Sequence, residues 1–91
     1  MNKDIPNKVT HELIESEIDS VKYEILEGST ITRCQIIMKC GFRFVGESAC
    51  IDPNNFDKKL GEEYAYNDAY SQIWKPYGFH LMMLKQQNKE V

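Results

Sequence analysis

Apolar and polar positions along this chain follow more than one rhythm. Leu13, Ile14, Ile18 and Val21 are placed as on one face of an α-helix, with Thr10 in front of them where a hydroxyl can accept from a free first-turn N–H. The spacing predicts a helix of about three turns. Lys22 to Glu27 fits either a short strand or an extension of that helix, and Glu27-Gly28-Ser29 breaks the chain in both cases. From Thr30 to Lys39 the residues are β-branched and large apolar types, and Phe42 to Val45 resumes that character after Cys40-Gly41. The expected unit is a hairpin with a two-residue turn, in which Gly41 supplies positive φ and Cys40 has to tolerate it. That register pairs Lys39 with Phe42, Ile37 with Phe44 and Ile36 with Val45. One face then carries Ile31, Ile37, Phe42 and Phe44, and the other carries Cys34, Ile36, Met38 and Val45 with Thr32 and Arg43. Both faces read as largely apolar, so both call for a cover: helices on one, a second subunit or the folded-back tail on the other.

The second half of the chain returns to helical spacing. Asp52-Pro53 is a start signal, a capping carboxylate followed by a proline that loses nothing at the first helical position. Phe56, Leu60, Tyr64, Ala65, Ala69 and Ile73 then form a buried stripe on a helix expected from Pro53 to Trp74, with Asp57, Lys58, Lys59, Glu62, Glu63 and Asp68 facing out. Gly61 inside it costs about 1 kcal/mol relative to alanine, which a close approach of the hairpin backbone would explain. Pro76 ends or kinks the helix, and Tyr77 to Leu84 is too apolar for a free tail, so it packs back as a short helix or an extended segment. Residues 1–8 and 85–91 are expected to be flexible. The fold class is therefore α+β in one small domain spanning residues 1–91: an N-terminal helix, an antiparallel β-hairpin with room for a third strand, a long amphipathic helix and a short C-terminal helical segment.

Composition narrows the function. A chain of 91 residues with 42% hydrophobic content holds one modest core, and a domain this small gains from self-association, so a homo-oligomer is expected. With 11 Lys and Arg against 14 Asp and Glu, the net charge of −3 disfavours a nucleic-acid polymer as partner. Glu12, Glu15, Glu17 and Asp19 gather in one short stretch, either as a solvated face near a positive helix end or as a surface for a basic partner. No apolar run is long enough to cross a membrane and the first residues lack the apolar core of a signal peptide, which places the protein in the cytoplasm. Cys34, Cys40 and Cys50 are odd in number and lack paired spacing, so free thiols are expected.

The densest chemistry lies where the hairpin meets the long helix: Glu47, Ser48, Cys50, Asp52, Asn54, Asn55 and Asp57. A helix N-terminus there would suit an anion, but the carboxylates oppose one, so a phosphate would need Arg33, Arg43 or another subunit. The ordinary reading is capping and corner bonding. A second set, Tyr66, Tyr70, Trp74 and Tyr77, recurs down one edge of the helix beside Tyr64, either as core border or as contact surface for a partner. A ring there could also stack on the base of a small nucleotide. Catalysis reads weakly: nothing in the spacing puts His80 beside Cys50, and Ser48 lacks the following glycine of a nucleophile elbow. Cys34, Cys40, Cys50 and His80 form no paired metal knuckle. No catalytic residue, metal or cofactor is assigned.

The string from Gly41 through Gly46-Glu47-Ser48-Ala49-Cys50, Pro53, Asn55-Phe56-Asp57, Gly61, Ala69 and Ile73-Trp74 resembles a family of small, functionally uncharacterised proteins of tailed bacteriophages and prophages. The resemblance covers roughly residues 30 to 80, and Val9-Thr10 with the acidic first helix is similar to the family's start. It implies a phage source and a host-cell setting, and it brings no catalytic residues. The resulting expectation is a non-enzymatic accessory in the host cytoplasm that binds a host protein, with inhibition of host defence as one outcome. Two alternatives stand beside it: sequestration of a small nucleotide at a subunit interface, and a structural or assembly role in the phage. Candidate binding residues are Arg43, Glu47, Ser48, Asp52, Asn55, Asp57, Tyr66, Tyr70 and Trp74.

Overall fold

The computed structural model describes residues 5–89. Residues 1–4 of the expected N-terminal arm and residues 90–91 of the expected tail lie outside the described residues. The chain forms a short helix α1 (His11–Ser16), three strands β1 (Ile18–Ile25), β2 (Ile31–Met38) and β3 (Arg43–Ala49), a single 3-10 turn at Pro53–Asn55, and two helices α2 (Lys58–Ser71) and α3 (Trp74–Lys89). The sheet is antiparallel in the order β1-β2-β3, and the fold is α+β.

The first helix is shorter than its spacing predicts. Thr10 caps it as expected, its hydroxyl accepting from Leu13 N–H at 3.1 Å, but it stops at Ser16, and Ile18 and Val21 belong to β1. Two forces turn the chain there. Val21, Lys22, Tyr23, Glu24 and Ile25 alternate with the period of a strand, and the Glu17 carbonyl accepts from Lys39 N–H at 2.8 Å across the hairpin.

Two features of the hairpin also differ from the sequence reading. Met38 N–H donates to Phe42 C=O and Gly41 N–H to Met38 C=O, both at 2.8 Å, so residues 39–41 form a three-residue loop. Gly41 carries the positive φ of 97°, and no non-glycine residue has positive φ among the described residues, so Cys40 is not strained. The extra loop residue moves the register by one, pairing Ile36 with Phe44 and Ile37 with Arg43. Because side chains alternate at every residue, that single step re-sorts the faces. Thr32, Cys34, Ile36 and Met38 point inward together, while Arg33, Gln35, Arg43 and Glu47 point outward. The outer face is mixed rather than largely apolar, with Ile31, Ile37 and Val45 among the charged and polar groups, and Arg33 bridges it, 3.1 Å from Glu47 and 3.8 Å from Glu24.

The long helix begins later and breaks earlier than expected. Asp52 caps the 3-10 turn, accepting from Asn54 N–H at 3.0 Å, but Phe56 returns to extended backbone. Asp57 is the cap of α2 and accepts from Leu60 N–H at 3.1 Å. At the other end Gln72 N–H and Ile73 N–H bond three residues back, to Ala69 and Tyr70, before the four-residue pattern resumes with Tyr77 donating to Ile73. Pro76 explains the break one turn ahead of itself: it offers no N–H to the Gln72 carbonyl, and its ring crowds that oxygen. The expected short C-terminal segment is a 16-residue helix, α3. Lys85 Nζ donates to Asn7 Oδ1, so the described part of the N-terminal arm lies beside α3.

The core consists of Ile14, Cys34, Ile36, Met38, Ala65, Ala69 and Ile73, so the last three positions of the predicted stripe are buried. Leu60 and Tyr64, its earlier members, are exposed, because the row of α2 turned to the sheet runs back from Ala69 and Ala65 to Gly61, whose carbonyl accepts from the Ser48 hydroxyl. Gly46 sets how closely helix and sheet approach: a Cβ there would lie 2.2 Å from Ala69 N and 2.5 Å from Ala65 O. A Cβ at Gly61 would lie 2.8 Å from the Thr32 hydroxyl, a side-chain contact, so the backbone approach expected at Gly61 occurs at Gly46 instead.

Candidate functional site

The corner predicted from the sequence divides between two faces. Ser48, Asp52, Asn55 and Asp57 converge on a cleft of about 390 Å³ with Thr30, Cys50, Phe56 and Tyr64. Glu47 precedes Ser48 on a strand and therefore points the other way, to the outer face and Arg33. Arg43 sits at the far end of β3 and donates to Gln35 Oε1 at 2.9 Å. Among the described residues no basic side chain lines the cleft. Its polar groups also hold the corner together. The Ser48 hydroxyl donates to Gly61 C=O at 2.7 Å, Asn55 Nδ2 donates to Asp52 at 3.2 Å, and the Cys50 thiol lies 3.1 Å from Asp52 C=O.

The aromatic edge is assembled as its spacing predicts, and it is half-buried. Tyr66 and Tyr70 lie 5.6 Å apart between ring centroids, and Tyr70 and Trp74 6.1 Å. His11 of α1 completes the row. It shares a 3.0 Å hydrogen bond with the Tyr70 hydroxyl and packs edge-on against Trp74 at 4.8 Å. Burial pushes the phenols of Tyr66 and Tyr70 up from their usual pKa, and nearby Glu15 adds to both shifts. His11 is an exposed first-turn residue of α1, and nothing local in the sequence connects it to a helix 59 positions further along.

A third region drew no prediction. Between the hairpin tip and the start of α3 lies a cleft of about 470 Å³, walled by Met38, Phe42 and Phe44 on one side and Ile73, Pro76 and Tyr77 on the other, with Glu17, Cys40 and His80 at its margin. Beyond it Phe79, Met82 and Met83 are 67%, 73% and 40% exposed on α3. Phe79, Met82 and Met83 stand three and four residues apart, a helical signal the sequence already contained.

The thiols and histidines are not brought together. Cys34 is inside the core, where burial pushes its thiol pKa up against a hydrogen bond from Tyr23. Cys40 is exposed in the hairpin loop, Cys50 lines the corner cleft, and His80 lines the other cleft. Among the described residues no three of His, Cys, Asp or Glu are grouped to hold a metal, and no helix is long and apolar enough to cross a membrane.

Residues 9–85 match the phage protein (N4 Gp49/phage Sf6 gene 66) family. The chain belongs to that family. The match runs from the residue before the α1 cap into α3, so it takes in both clefts and the aromatic row. Neither a curated protein nor a solved structure matches the chain.

Proposed function

We propose that this phage protein acts by binding rather than by catalysis, occupying a host protein inside the infected cell and so impeding a host process such as defence. The observation that carries this reading is the exposure of large apolar side chains, Phe79, Met82 and Met83 on α3 and Phe42 at the hairpin-tip cleft. Large aromatic and methionine side chains on an open surface are typical anchors for another protein. Met side chains also adapt to a partner's shape. The test is capture from infected cells: the wild-type chain recovers a stoichiometric host protein, and Phe79→Asp with Met83→Asp loses it while the circular dichroism spectrum is unchanged. Equal recovery by that variant refutes the surface.

One observation favours a second reading. The corner cleft has the size of a small-ligand site, with the rings of Phe56 and Tyr64 beside the hydroxyl, amide and carboxylate groups of Ser48, Asn55, Asp52 and Asp57. A small nucleotide fits that mixture, its base against a ring and its sugar or base edge on the polar groups. Phosphate charge would have to be met from another subunit, since this cleft supplies no base. A thermal upshift with a mononucleotide or cyclic dinucleotide, lost in Asn55→Ala with Tyr64→Ala, supports this reading. No shift across such a panel removes it.

A further inference from the structure

The two edges of the sheet are treated differently. On β3 two outward backbone groups are taken up from the α2 side: Glu47 N–H donates to Asp68 Oδ2 at 3.0 Å, and Gln72 Nε2 donates to Val45 C=O at 2.8 Å. The β1 edge has no such cover among the described residues. Its open groups follow from the pairing. Met38 N–H bonds to Phe42, so the even residues of β2 face β3 and the odd ones face β1. The partners of those odd residues, Ser20, Lys22 and Glu24, spend their backbone groups on β2. Val21, Tyr23 and Ile25 therefore turn their N–H and C=O groups outward.

Side chains mark the same edge. Val21, Tyr23 and Ile25 share the inner face with Ile36, Cys34 and Thr32, yet Tyr23 and Ile25 remain 41% and 42% exposed, because the broad helix-on-sheet contact of α2 is with β2 and β3. The sequence Val21-Lys22-Tyr23-Glu24-Ile25 is also its own complement when reversed. About a two-fold axis at Tyr23, Val21 faces Ile25 of a second copy, Tyr23 faces Tyr23, and Lys22 faces Glu24 twice. Charges on an edge strand ordinarily deter pairing, but here the alternation makes antiparallel self-pairing attractive and other registers less so.

We infer that β1 is a docking edge for a second copy of this chain, which adds antiparallel through Val21, Tyr23 and Ile25 about a two-fold axis at Tyr23 and joins the two sheets into one of six strands. Backbone bonds give the affinity, and the Lys22–Glu24 pairs on the outer face fix the register. The inference stands on the strand edge alone and is independent of what either cleft binds.

Charge reversal tests it. Lys22→Glu alone sets two carboxylates opposite Glu24 of the other copy, and Glu24→Lys alone sets two ammonium groups opposite Lys22. Each weakens the dimer in sedimentation equilibrium by about tenfold or more, and the double variant K22E/E24K recovers wild-type association. Loss of the Glu24–Arg33 bridge is common to E24K and the double variant, so recovery separates pairing from any effect within one chain. Hydrogen exchange on the wild-type chain provides a reading that no variant can confound: the amides of Val21, Tyr23 and Ile25 become protected as concentration rises through the dimerisation range. A wild-type chain that stays monomeric, a double variant no better than the single ones, or unprotected amides at those positions in the dimer overturns the inference.

Discussion

Gly46 and Thr32 show how tightly α2 is seated on the sheet. A Cβ at position 46 meets the backbone of Ala69 and Ala65, neither of which can rotate away. Gly46→Ala is therefore expected to lower stability by about 3 kcal/mol, read as a shifted urea midpoint, because overpacking against backbone forces the helix to move. Thr32 presents the opposite case. Its hydroxyl is buried beside Gly61 with no hydrogen-bond partner. Thr32→Val keeps the shape and removes the stranded polar atom, and it should raise stability by about 1 kcal/mol in the same assay. A loss instead would mean that the hydroxyl has a partner in solution.

Two aspartates start the second half of the chain, and they do unequal work. Asp57→Ala removes the cap of a 14-residue helix and should cost about 1 kcal/mol. Asp52→Ala frees only a three-residue turn and should stay within about 0.5 kcal/mol. Denaturation of the two variants side by side checks the order. The difference also shows what could be read without coordinates. Ala65, Ala69 and Ile73 were legible as a buried stripe because helical period is written in the spacing itself, whereas Asp52-Pro53 and Asp57 are both valid start signals. Only the extended backbone of Phe56 decides between them. The strand β1 was harder, since Ile18 and Val21 suit a helical face and the bond that turns the chain joins Glu17 to Lys39. Hairpin register failed by one residue for want of the loop length, and with it the outer face. In the corner, Ser48, Asp52, Asn55 and Asp57 were legible as neighbours. The opposite aim of Glu47 was equally available from the alternation along a strand.

The described residues measure 59 × 20 × 16 Å, a narrow body along which four phenols sit near acidic groups. Tyr23, Tyr66, Tyr70 and Tyr77 each have a pKa raised above 10.0, first by burial and then by nearby acidic groups such as Glu62, Glu15 and Glu17. Since the folded-state value exceeds the unfolded one, their contribution is fully present below pH 10 and fades as pH rises through the folded-state values. Phenolate absorbance of the folded chain should therefore rise at higher pH than that of the urea-unfolded chain, with stability falling as pH climbs above 10; coincident titration curves would contradict the shifts. The clasp of Asp68 and Gln72 on β3 has a consequence for growth. A sheet open on both margins can recruit copies without end, as fibres do, while one with a blocked margin offers a single place to join. If β1 pairs as inferred, the blocked margin predicts a finite particle rather than a fibre, however abundantly the chain is made.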